Sequence, residues 1–257
     1  MRQITLVAGT LVAGWSLWMS GCEEPTVSQL STGPDAATTS AVERDRVTDN
    51  SPAALLGVHV GVWDYRVTDG EDEGDMLRFS LQTAEEDEAL PLRRLRADGR
   101  IEHLGIASDG SVLIGAVEDP AEGVLTRYEP ALTLIPAELP LDSPKVFEAE
   151  MVVTNLAPPY RERGRGEATR TVTYVGDEVV QTGAGDFEAR RFEASFQGDM
   201  TLATVRIDAT EWYSPEVGMV AEAVNERVRA ALIFGSSTER TLVLEALPSG
   251  GISERDR

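Results

Sequence analysis

The sequence predicts a mainly β protein: an antiparallel sheet curled into a half-barrel or sandwich, with room for one or two short helices. Three observations carry that prediction. Short segments rich in Val, Thr, Phe and Tyr alternate apolar with polar residues, as strands with one buried face do. Gly- and Asp-rich turns separate them at short intervals. The body between residues 53 and 247 is also long enough to close a substantial core.

The strands can be taken in order. "GVWDYRV" (Gly61 to Val67) and "MLRFSLQ" (Met76 to Gln82) flank the polar loop "TDGEDEGD" and read as a hairpin. "ATRTVTYV" (Ala168 to Val175) turns Val172 and Tyr174 to one side. "DFEARRFEASF" places Phe192, Ala194 and Phe196 on one face, and "LATVRIDATEWY" does the same with Ala203, Val205, Ile207 and Ala209. "RTLVLEAL" ends the body. Only the segment from 217 to 232 is ambiguous: Val217, Val220, Ala221, Val224, Val228 and Leu232 suit helical spacing as well as a strand.

The start of the chain is of another kind. Arg2 is the only charge before Glu23, and Ile4 to Trp18 is apolar or small throughout. A positive tip, an apolar run of this length and small residues before a cut define a secretory signal peptide over residues 1–21. "MSGC" (Met19 to Cys22) resembles the lipobox of bacterial lipoproteins. That resemblance implies cleavage before Cys22, the only cysteine in the chain, and acylation of its sulfur with palmitate-type chains. Two or three such chains anchor firmly where one holds marginally. Glu23, rather than an aspartate, follows the cysteine, which implies the outer membrane with the body facing the periplasm. Residues 22–52 carry no aromatic residue and no period, so they form a disordered tether. The tail from 248 to 257 has the same character.

Acidic residues number 44 against 23 basic ones. Such a balance excludes nucleic acid as a partner. Lys145 is the only lysine. His59 and His103 are the only imidazoles, and neither sits in a nucleophile–base or zinc-ligand pattern. No metal, cofactor or catalytic residue is expected, and the chain reads as a non-enzyme. "DGEDEGD" (Asp69 to Asp75) imitates the opening of a calcium loop, but Ser80 stands where a bidentate glutamate is required. It reads as a solvated hairpin tip.

From Ala184 onward, "GAGDFEARRFEA", "TEWYSPEVGMV" and a final "LVLEAL" resemble a broad group of uncharacterised bacterial envelope proteins. Upstream, "GVWDYRV" and "LPLDSPKVFEAEMVV" fall in the matching places, although Phe147 replaces the commoner tryptophan. The resemblance implies an open curled sheet, similar in outline to the half-barrels of periplasmic lipoprotein carriers, and it favours a strand after Gly218. It brings no functional residues with it.

Two groups of residues remain as candidates for contact. Arg161, Arg163 and Arg165 form a cationic loop in an acidic molecule, suited to an anion or to pairing with nearby glutamates. Trp212 and Tyr213, being adjacent on a strand, point to opposite sides of the sheet. One enters the interior and the other sits at a rim. The expected function is that of a lipid-anchored binding or carrier-like domain holding an apolar ligand within the curl. The alternative is an interaction protein of the envelope, its tether letting the domain reach a protein partner.

Overall fold

The computed structural model describes residues 51–56, 61–84, 90–201, 203–215, 217–230 and 234–247. The expected signal peptide, Cys22, the expected tether as far as residue 50, His59 and the expected tail lie outside them, while Ser51 and Pro52, at the end of that tether, are described and Pro52 is buried. Twelve strands run through the described residues: β1 (Gly61–Gly70), β2 (Met76–Thr83), β3 (Leu92–Leu95), β4 (Ile101–Ile106), β5 (Val112–Asp119), β6 (Val124–Ile135), β7 (Lys145–Asn155), β8 (Glu162–Thr182), β9 (Gly185–Met200), β10 (Ala203–Ser214), β11 (Gly218–Ala230) and β12 (Phe234–Ala246). Each strand pairs antiparallel with the next, and β12 returns to β1, from Asp64 opposite Ala246 to Gly70 opposite Arg240. The curl predicted from sequence therefore continues to full closure. Closure leaves no unpaired strand edge.

Why these segments become strands is visible in their burial. Trp63, Tyr65 and Val67 are buried, while Asp64 and Arg66 between them face outward and pair with Arg78 and Glu245. The ambiguous segment is a strand, β11, in register with β10 from Ala203 opposite Ala230 to Ser214 opposite Gly218. Helical spacing loses here because two long neighbours offer a full ladder of backbone partners. Between them the chain reverses at Pro215, and Gly218 takes a φ of 95° that a residue with a side chain rarely adopts. The only helical element among the described residues is a 3-10 turn, Ala54–Leu56, whose Leu55 is fully buried and packs near β10 and β11.

β8 and β9 are the longest strands, and their far ends run past the barrel wall. There Ala189 is buried, and Val180, Ala184 and Phe187 pack on the core. The tip brings Gly183 against Glu245 of β12, which is not its sheet neighbour. Nearer the other end, Gly166 of β8 lies so close to β9 that a Cβ would sit 1.9 Å from the Asp199 carbonyl oxygen. Gly166→Ala must push the two strands apart. It is expected to destabilise the barrel by about 1–3 kcal/mol, read as a lowered urea midpoint with an unchanged slope.

Candidate functional site: a charged interior and a polar outer groove

The barrel interior is layered. Towards the Ser214–Gly218 turn it is apolar, built on Trp63, Leu81, Leu104, Val112, Ile135, Phe192 and Val220. Deeper in, inward positions hold charges. Arg94 and Arg96 both reach Glu102, Arg96 at 3.5 Å. Arg96 Nη2 lies 3.6 Å from Glu222 Oε2 across the lumen, an ion pair too long for a hydrogen bond. Arg170 Nη2 meets Glu211 Oε1 at 3.4 Å, and the Tyr213 hydroxyl donates to Glu211 Oε2 at 3.2 Å. Further along, Arg100 pairs with Asp119 at 3.2 Å and with Glu226 at 3.4 Å.

These pairs set the protonation states. Burial pushes the Glu102 carboxyl up, but the Arg94 and Arg96 guanidinia overcome it and hold the group below the usual carboxylate range. Burial likewise raises the Tyr65 and Tyr213 phenols, and it raises Tyr128 to about 12. All three stay protonated at neutral pH. The Tyr65 hydroxyl donates to the Met219 carbonyl at 2.8 Å, and Trp63 Nε1 to the Val217 carbonyl at 3.0 Å.

A cavity in the interior, between Leu56, Trp63, Tyr65, Phe79 and Tyr213, measures about 30 Å³, room for on the order of two water molecules. A larger hollow, about 440 Å³, lies on the outside of the wall formed by β8 to β12. Behind it runs the inward row Val172, Ala194, Ala209, Val224 and Arg240, two of whose residues are alanines, and small inward side chains leave room for such a hollow. Two outward rows line it. One runs Thr171, Ser195, Asp208, Asn225, Glu239, and the other Thr173, Glu193, Thr210, Ala223, Thr241.

Tyr213 enters the interior, 1% exposed, and stacks edge-on against Phe192. Trp212 faces out, half-buried, with the Arg191 guanidinium 5.8 Å from its ring centre and its indole N–H donated to Glu178. The three arginines of the loop do different things. Arg165 pairs with Glu150 and, at 3.2 Å, with Glu162. Arg163 donates to the Glu122 and Gly123 carbonyls of the β5–β6 turn, and Arg161 is exposed. The sequence reading missed the interior charges and the groove. The charges did leave a signal, since Arg170, Glu211 and Glu222 sit in phase with buried apolar residues two positions away.

The outward face carries Arg78, Glu148, Glu150, Arg206 and Asp208, whereas a barrel crossing a bilayer needs an apolar outer band. Fold and site together define a closed meander barrel with an ion-paired interior, not a membrane-spanning pore. A DUF3108-like family model matches residues 149–227, from within β7 to within β11. No curated protein matches the chain. Among solved structures, the chain is similar to a candidate lipoprotein from Parabacteroides distasonis ATCC 8503, at 16% identity and a TM-score of 0.39, over 75% of this chain and 97% of that one. It is also similar to the hypothetical lipoprotein YmcC from Escherichia coli (K12), at 12% identity and a TM-score of 0.36, over 78% and 93%.

Proposed function

We propose that this chain is a bacterial envelope lipoprotein, held in the outer membrane by acyl chains on Cys22, whose periplasm-facing barrel is a non-catalytic interaction module for an envelope protein. The observation that carries the reading is where the space lies. Ligand pockets run to roughly 300–1,000 Å³; the lumenal cavity beside Trp63 and Tyr213 offers about 30 Å³ and the outer groove about 440 Å³. These volumes favour a partner on the outer wall over an apolar ligand inside the curl, the first role suggested by sequence.

Organic extracts of the purified barrel should contain no stoichiometric lipid by mass spectrometry. A co-purifying acyl chain would return the carrier role to first place. In cells, Cys22→Ser should abolish palmitate incorporation and move the chain from the membrane to the soluble fraction. In-cell cross-linking that returned only the monomer would remove the interaction reading.

A further inference from the structure

The groove is rich in hydrogen-bond acceptors that nothing among the described residues satisfies. Asp208 and Glu239 are exposed and make no ion pair or hydrogen bond among the described residues. Asn225, between them in the same row, has its side-chain oxygen Oδ1 buried with no donor reaching it. Glu193, in the adjacent row, is paired with Arg191 at 3.5 Å. The unsatisfied set is therefore Asp208, Asn225 and Glu239, on three successive strands of one row, in a chain of net charge −21.

The spacing of this set is fixed by the sheet. Asp208 on β10 and Glu239 on β12 are two strands apart, about 10 Å at the usual interstrand distance. A polyproline II helix rises about 3.1 Å per residue with three residues per turn, so every third side chain returns to one face after about 9.3 Å. Its backbone carbonyls are free of internal bonds, and the hydroxyls of Thr171, Thr173, Ser195, Thr210 and Thr241 that line the groove can donate to them. A bare polyamine would match the carboxylates and leave those hydroxyls without acceptors.

We infer that the groove seats an extended basic segment of a partner protein, in the polyproline II conformation, with Lys or Arg at every third position against Asp208 and Glu239. The inference rests on the interaction reading and names the chemistry of the partner. The hollow over Ala194 and Ala209 seats the segment, and the acidic surface steers it in.

The test uses the full chain in detergent at about 0.15 M salt, where surface attraction is screened beyond about 8 Å. A labelled peptide of repeated Lys-Pro-Pro is titrated beside one of the same composition with its lysines clustered at one end. The repeated peptide should bind about tenfold more tightly, by fluorescence anisotropy. Asp208→Asn with Glu239→Gln should remove that advantage. Glu71→Gln with Glu73→Gln, which deletes the same charge at the β1–β2 hairpin tip, should change affinity by less than about twofold. Equal binding of the two peptides, equal loss from the two double variants, or no binding overturns the inference. Photo-cross-linking in cells separates its failure from that of the wider reading. A partner captured from Arg161 but not from Ser195 sinks the groove alone, and capture from neither sinks both.

Discussion

Glu102→Ala is expected to lower the unfolding free energy of the barrel by about 3–5 kcal/mol, because it strips the shared counter-ion from two buried guanidinia. Arg94 and Arg96 both bind this carboxylate, and their side chains are only 17% and 16% exposed. Without Glu102, Arg96 keeps its long pair to Glu222 and a pair to Asp98 at 3.7 Å, while Arg94 is left with the weaker attraction of Glu211. Urea unfolding at pH 7 followed by tryptophan fluorescence measures the loss. A change below about 1 kcal/mol would mean that the interior admits enough water to screen the pair, as at surface sites.

The pH dependence follows from the same group. Its pKa is lower folded than unfolded, so the unfolded chain takes up the proton first as pH falls. The stabilisation is fully present above the unfolded value, near 4.3, and is lost as pH falls through the folded value. Wild type and Glu102→Ala should therefore converge in acid. If the gap between them widened below pH 4, the carboxylate would not be the group responsible.

Tyr213→Ala should cost a similar amount, about 3–5 kcal/mol, since it empties a fully enclosed aromatic site. The ring packs on Phe192 with centroids 5.9 Å apart and helps line the small lumenal cavity. For a domain of this size that corresponds to a fall in Tm of roughly 10 °C. Tyr213→Phe keeps the packing and removes only the hydroxyl donated to Glu211, which still has Arg170, so it should cost about 1–2 kcal/mol. Trp212→Ala, one residue away on the outer face, should cost less than either. Calorimetry of the three variants reads the order directly, and a reversed order of Trp212 and Tyr213 would mean that the sheet presents the opposite face to the core.

Much of this architecture was legible from alternation. Phe192, Ala194 and Phe196 do share the inward face, as do Ala203, Val205, Ile207 and Ala209, and "RTLVLEAL" does form the last strand. The hairpin around Asp69 to Asp75 is where the aromatic segments placed it. Arg170, Glu211 and Glu222 were passed over because a charge inside an apolar period reads as an outward residue. Only the simultaneous presence of partners from β3, β4, β8, β10 and β11 makes such a charge tolerable inside. The groove was invisible for a related reason. Asp208 and Glu239 are far apart in the chain, and neither belongs to a local motif.

By itself, then, the sequence determined β1, β2, β8, β9, β10 and β12, the faces they bury and the acidic balance, because side-chain alternation is a local property set by the two-residue period of a strand. Closure of the barrel, the ion pairs across its lumen and the concave wall of β8 to β12 were decided only by the tertiary structure. Each depends on which strands become neighbours and in what register, and register is settled by the packing of the whole sheet at once.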